Sequence, residues 1–422
     1  MSFLNITNRF SRDTIIAISL SFITGIASYV ITVYTSRNLS PAGFGEYNAL
    51  VSIIAMITMP FTPFFYFITD KMHHSKTEHE RRRTAASFLI HFTGLAGLVV
   101  AVVVLLSGFI ASNLKISAQF SMVFVELTVI FMIVTYVVSY LLIGFDRMPL
   151  YNLITYSNIP LRLLFTGLFV LLGFNLFFAL LSNTLTYLIF MTLGVIFVFT
   201  RVRPHIFSVL SVAHFKLFWK DVIWAALPLV IATSLYGLSM NIDMLLVKRF
   251  LSPDDAGAYA TITVLGKMLY FVPGAIMPVF YARLLKDIPR DGGRTVLFTV
   301  VLITLALVSA GLTFIVVFAQ PLIVLQFTAK YASIIPLVGW YALSVLFLSI
   351  TYLMYIFFIA HKRYWIVYSY APFIVVLYFV LRARHSSLAE IVIIMLIFHA
   401  ALAAYSAAAA VLLLRQKHTA HA

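Results

Sequence analysis

The chain is 422 residues long, with 62% hydrophobic residues, only 10% charged residues and a formal net charge of +15. A water-soluble domain carries about 25% charged residues, so this chain cannot cover a soluble surface and reads as a polytopic membrane protein. It has no cysteine, which excludes disulfides and thiolate metal sites.

Twelve segments offer the roughly 20 mostly apolar residues that a helical span needs. They are 14–35, 46–69, 84–110, 121–143, 151–173, 176–199, 221–247, 257–282, 295–318, 332–360, 364–381 and 388–414. The polar residues 1–13 lead straight into the first, with no secretory signal and cleavage site, so that segment is expected to be retained. Long apolar runs replace the period-two alternation of a membrane β-barrel, and the predicted class is all-α. Of the 29 Lys and Arg, 20 fall in the loops on the side of the N-terminus, 7 on the opposite side and two inside spans. That bias predicts both termini in the cytoplasm and accounts for most of the net charge. The charges lie between spans rather than on a soluble module, so no nucleic-acid partner is expected.

The run from Arg37 to Tyr47 returns, altered, from Arg249 to Tyr259, an offset of 212 residues. Six of its eleven positions are identical: Arg37/Arg249, Leu39/Leu251, Ser40/Ser252, Pro41/Pro253, Gly45/Gly257 and Tyr47/Tyr259. An offset of 216 pairs Ile143 with Ile359 and Arg147 with Arg363. The chain is therefore predicted to hold two copies of one unit: a six-helix bundle at 1–200, a basic cytoplasmic linker at 201–220 and a second bundle at 221–422. Six spans per copy make the repeats parallel, related by a pseudo-two-fold axis along the membrane normal. Residues 209–219 of the linker are expected to lie as an amphipathic helix at the headgroups. In each repeated turn the serine is placed to cap the next helix and the proline suits its first position.

Spans 2 and 8 each carry two prolines, Pro60 and Pro63, then Pro273 and Pro278. Proline deletes a helix hydrogen bond, so these are candidate helix breaks, and breaks at corresponding places point to a cavity between repeats; a static packing kink is the plain alternative. Arg162 lies about 12 residues into its span, roughly 18 Å at 1.5 Å per residue, and Lys267 lies at similar depth in span 8. A cation at mid-depth facing lipid costs several kcal/mol, so each is expected to face a cavity or a partner. The bland partner for Lys267 is Asp243, and for Arg162 it is Asn158 one turn before; the functional reading is a cavity that attracts an anionic substrate. Asp243 is also a candidate coupling site, since a buried carboxyl can load and release a proton. His91 and His399 read as core histidines. No catalytic constellation, metal-ligand set or cofactor motif stands in the sequence, so relocation of a substrate is expected rather than bond-making.

The run Arg37–Tyr47, with Leu227-Pro-Leu, Asn241-Ile-Asp243, Leu251–Tyr259, the basic turn Gly144–Met148 and Arg162, resembles the polysaccharide-biosynthesis membrane proteins. The chain is similar in particular to the lipid-linked oligosaccharide (Wzx-type) flippases of the multidrug/oligosaccharidyl-lipid/polysaccharide exporter superfamily. The resemblance implies two six-helix bundles forming a V, in a bacterial inner membrane. It implies undecaprenyl-pyrophosphate-linked oligosaccharide repeat units as substrate, moved to the outer leaflet, with a polysaccharide polymerase and chain-length machinery as partners besides the lipid bilayer. By position, Arg162 and Lys267 would meet the pyrophosphate or acidic sugars, and Arg12 would guard the cytoplasmic mouth. A cation-coupled antiporter of the same superfamily, and a membrane-embedded polysaccharide polymerase, are the alternative readings. Span 1 lacks the acidic residue that the coupled exporters usually carry, and spans 1, 2 and 8 lack the several arginines of the peptidoglycan-precursor flippases.

Overall fold

The computed structural model describes residues 23–117, 120–209, 212–291 and 293–419, and among these every regular element is helical. Among the described residues eleven helices are long and apolar enough to cross a membrane. Ahead of them the chain is helical from 23 to 38; we call this α1, and the start of its expected span lies outside the described residues. The others are α2 (Pro41–His73), α3 (Glu78–Asn113), α4 (Phe120–Gly144), α5 (Met148–Val170), α6 (Leu176–His205), α7 (Val212–Phe250), α8 (Pro253–Asp291), α9 (Arg294–Val317), α10 (Ala329–Ala360), α11 (Tyr364–Ala383) and α12 (Leu388–Thr419). Alternation of the spans puts the turns after α1, α3, α5, α7, α9 and α11 at one end, the turn end. The basic loops lie at the other.

The duplication is visible in the backbone. After α4, Asp146 has a φ of 59°, and after α10, Lys362 has a φ of 56°. The amides of Phe145, Asp146 and Arg147 bond the carbonyls of Leu141, Ile143 and Leu142; those of His361, Lys362 and Arg363 bond Phe357, Ile359 and Phe358. These two helix ends share one left-handed capping scheme, 216 residues apart. A second correspondence follows that sequence reading missed: Tyr156-Ser-x-x-Pro160 and Tyr368-Ser-x-x-Pro372. There α5 breaks between Met148–Tyr156 and Asn158–Val170, and α11 between Tyr364–Tyr368 and Tyr370–Ala383. In each half the fourth span is central: α4 packs on α3 and α6, and α10 on α9 and α12.

Both repeated turns are capped as the sequence predicts. Ser40 Oγ accepts from the Gly43 amide at 3.1 Å and Ser252 Oγ from the Asp255 amide at 3.1 Å, with Pro41 and Pro253 opening the helices. Their glycines do more than start a span. A Cβ on Gly257 would lie 1.9 Å from the Pro41 carbonyl oxygen, and one on Gly45 would lie 2.6 Å from the Gly257 nitrogen. The first turns of α2 and α8 thus cross in direct backbone contact, through the two copies of the same motif.

Both helices then break. α2 passes through a 3-10 turn at Met59–Phe61, which holds Pro60, and Pro63 is the second residue of Thr62–His73. α8 passes through Met268–Tyr270, with Pro273 third in Phe271–Asp291 and Pro278 further along. The segments Pro41–Thr58 and Pro253–Lys267 pack on each other; beyond the breaks Thr62–His73 turns to α3, α4 and α7, and Phe271–Asp291 to α9 and α10. The amphipathic stretch differs from expectation. From Val212 it is the beginning of α7, not a separate surface helix, because Phe218 finds Phe88 at 5.2 Å and the stacked His91 ring at 4.4 Å on α3.

The crossing predicts an unequal response to methyl groups. Gly257→Ala drives a carbon into backbone, where overpacking costs about 1–3 kcal/mol or more. Gly94→Ala on α3 meets open space and gains helix propensity. Thermal unfolding in detergent is expected to drop for Gly257→Ala and to stay level or rise for Gly94→Ala.

Candidate functional site

The crossing of α2 and α8 leaves a cavity of about 280 Å³ toward the middle of the molecule, walled by α1, α2, α7 and α8. Its polar lining includes Asn48 and Ser52 from the first half and Asn241, Thr263 and Lys267 from the second. It lies beside the packed segments Pro41–Thr58 and Pro253–Lys267 and reaches the α8 break at Met268–Tyr270.

Lys267 ends the first segment of α8 and faces this cavity with 22% of its side chain exposed. Its ammonium donates to the Met240 carbonyl at 2.9 Å and sits 3.6 Å from Asp243 Oδ1. Asp243 is fully buried, and its Oδ2 accepts from the hydroxyls of Tyr259 at 3.0 Å and Tyr341 at 2.8 Å. Lys267 therefore has both a cavity and a partner. A buried charge left without its partner is strongly destabilising, so this pair fixes α7 against α8.

Arg162 is not among the residues lining the cavity. It lies on Asn158–Val170 and donates through a guanidinium nitrogen to the Tyr47 hydroxyl of α2. The guanidinium bonds Tyr47 and not Asn158, and Arg162 Nε and Asn158 Nδ2 are both without a hydrogen-bond partner among the described residues, so the expected Asn158–Arg162 bond is not formed. The two cations are not brought together over one space. Tyr47 and Tyr259 are the repeated tyrosine, and each anchors its half's broken helix to a charged group, Arg162 in one and Asp243 in the other. Arg12 lies outside the described residues. His91 Nδ1 lies 2.7 Å from the Ser87 carbonyl and His399 Nδ1 2.6 Å from Ser344 Oγ, both in packed surroundings.

Three residues that sequence reading passed over shut the turn end. Lys330, in the first turn of α10, donates to the carbonyls of Ser36 at 2.8 Å and Leu39 at 2.7 Å, at the C-terminus of α1. Lys115, between α3 and α4, donates to the Leu251 carbonyl at 3.4 Å, at the C-terminus of α7. Leu39 and Leu251 are repeat partners, so each half caps the other's first helix with a lysine, where cations favour the helix dipole. Buried Glu46, beside Gly45, accepts from the Ser117 amide at 3.1 Å and from the hydroxyls of Ser117 and Ser121 at 2.7 and 3.2 Å. At the other end a pocket of about 350 Å³ is lined by Lys71, Glu80, Arg83 and Asp221 over Phe88 and Phe218.

The chain matches the family described as polysaccharide biosynthesis protein over residues 10–283. A sequence search of curated proteins returned no match. Among solved structures it is similar to a multidrug resistance MATE family transporter of the MOP superfamily in its inward-facing conformation. The identity is 14%, the TM-score 0.74, and the match covers 96% of this chain and 98% of that one. An outward-facing MATE structure gives 0.64 at 14% identity, covering 96% of both chains. Lipid II flippase MurJ in an inward closed conformation gives 0.69 at 15% identity, covering 93% of this chain and 86% of that one. At these identities the likeness is one of fold.

The ion pair predicts a non-additive pair of substitutions. Asp243→Ala leaves Lys267 without its countercharge and is expected to cost about 3–5 kcal/mol, the range for breaking a buried pair. Adding Lys267→Met to Asp243→Ala is expected to recover part of that loss. Unfolding of both single variants and the double variant closes the cycle.

Proposed function

The chain belongs to the polysaccharide biosynthesis protein family, and on that premise we propose that it moves undecaprenyl-pyrophosphate-linked oligosaccharide repeat units from the cytoplasmic to the outer leaflet of a bacterial inner membrane. The polymer served is O-antigen, capsule or exopolysaccharide. The observation that carries this reading is the polar cavity between the halves, with Lys267 at its wall, in a fold whose solved relatives include a lipid II flippase. A head group that is all hydroxyls, amides and phosphates needs such a shelter in a bilayer, where an unsatisfied polar group costs several kcal/mol.

The loop charges support cytoplasmic termini, and with them a closed turn end facing out. Substrate then enters from the basic end, and the breaks at Met59–Phe61 and Met268–Tyr270 are where α2 and α8 bend as the cavity changes sides. Of the two span cations, Lys267 is the one a substrate in the cavity meets; Arg162 acts at the first half's helix through Tyr47. Asp243 remains the coupling candidate, since proton loading there would loosen both its lysine and its two tyrosines. A polymerase and a chain-length regulator are the partners this role calls for.

A cation-coupled drug antiporter is the second reading, favoured by the MATE fold. The test is leaflet accessibility of labelled polyprenyl-pyrophosphate oligosaccharide in sealed vesicles with and without the protein. Protein-dependent movement is expected, falling at least tenfold in Lys267→Ala. No movement, with proton-driven efflux of an organic cation in its place, would overturn the flippase reading.

A further inference from the structure

The cavity's hydrogen-bond chemistry narrows what it can hold. Asn48 Nδ2 donates to the Phe44 carbonyl at 2.9 Å and Asn241 Nδ2 to the Gly237 carbonyl at 3.0 Å. A carbonyl only accepts, so these bonds fix both amide orientations and leave each Oδ1 as an acceptor. No described residue donates to either. The hydroxyls of Thr32 and Thr263 spend their protons on the Ser28 and Ala260 carbonyls, at 2.9 and 2.8 Å, and keep only lone pairs. The lining therefore offers acceptors at Asn48 Oδ1, Asn241 Oδ1 and the two threonines, and donors at the Ser28 and Ser52 hydroxyls, the remaining Lys267 protons and the second proton of each amide.

Charge points the same way. Lys267 is the one ionisable Lys, Arg, Asp or Glu among the described residues that line the cavity, and Asp243 stands 3.6 Å behind it. The cation arrives with its countercharge, so the cavity is close to neutral. A pyrophosphate offers acceptors only and would leave the Asn48 and Asn241 oxygens and the threonine lone pairs without a donor. A sugar hydroxyl donates and accepts. The walls also hold the rings of Tyr29 and Tyr270, and Tyr270 is braced 5.1 Å from Tyr352 in a cluster with Tyr236 and Tyr355. Aromatic rings with a polar edge suit a ligand with one apolar and one hydroxylated face.

We propose that this cavity is a subsite for uncharged sugar residues, with Asn48 and Asn241 as specificity-determining acceptors, and that the pyrophosphate is held outside it. The proposal rests on the flippase reading and adds the substrate's charge class. It makes Lys267 a hydroxyl-directed donor rather than an anion trap, and it assigns discrimination against uronic acids to Asp243, which cancels the lysine.

The experiment compares two polyprenyl-pyrophosphate tetrasaccharides in protein-containing vesicles, one neutral and one identical except for a single sugar oxidised to a uronic acid. The wild-type protein is expected to move the neutral head at least tenfold faster. Asp243→Asn keeps the shape and an acceptor but uncovers the lysine charge, and is expected to shrink that preference severalfold. Asn48→Leu and Asn241→Leu are expected to slow the neutral head at least tenfold. Equal or faster movement of the uronate head by the wild type would overturn the proposal while leaving the flippase reading intact, and it needs no variant to fold. Movement of neither lipid would sink both. As a readout independent of transport, the purified protein's protection by the free neutral tetrasaccharide against thermal unfolding is expected to persist in excess inorganic pyrophosphate; displacement by pyrophosphate would contradict the separation of the two subsites.

Discussion

Two helix backbones touch where a methyl group would not fit, and the rest of the architecture depends on that contact. Gly45 and Gly257 let the first turns of α2 and α8 cross with the Pro41 carbonyl against the Gly257 backbone. Helix pairs normally stand 8–10 Å apart, a distance set by the side chains between them. Removing those side chains brings the halves together at the turn end. The reciprocal caps from Lys330 and Lys115 then tie each half to the last carbonyls of the other's first helix. Past the breaks the partners of α2 and α8 differ, and the polar cavity lies beside the packed segments ahead of them, reaching the break of α8.

The two halves share a backbone plan but not a chemistry. The repeated tyrosine accepts from Arg162 in the first half and donates to Asp243 in the second. That substitution of partners places a buried ion pair on one wall of the cavity, while the described residues of α1 and α2 that form the facing wall carry no charge. On the proposed flippase function, asymmetry within a duplicated frame suits a substrate that has no symmetry of its own.

The fold was largely legible in the sequence because its signals are local or compositional. Apolar runs mark spans, and Ser40-Pro41 and Ser252-Pro253 mark helix starts through bonds made within one turn. The Lys267–Asp243 pair was visible as well, since the residues lie on consecutive antiparallel spans. The crossing role of Gly45 and Gly257 was not, because it requires knowing that two turns 212 residues apart meet. Lys115 and Lys330 look like ordinary loop lysines until their carbonyl partners in the opposite half are seen. The Tyr-Ser-x-x-Pro repeat was hidden by a four-residue difference, one helical turn, between Arg147–Tyr156 and Arg363–Tyr368, which shifts the offset from 216 to 212. Arg162 was matched to Asn158 on spacing alone, whereas its long side chain reaches Tyr47 on a neighbouring helix.

The most direct measurement is a pair of spin-label distances in the membrane-embedded protein. The chain has no cysteine, so labels attach only where cysteines are introduced. One pair, replacing exposed Asn38 and Asp254, spans the turn end; the other, replacing exposed His74 and Lys286, spans the basic end. The account predicts a short, narrow distance at the turn end and a long, broad one at the basic end for the resting protein. Adding Gly257→Ala should broaden the turn-end distance alone. A long turn-end distance with a short basic-end one in the resting state would contradict the claim that the glycine crossing holds the halves together.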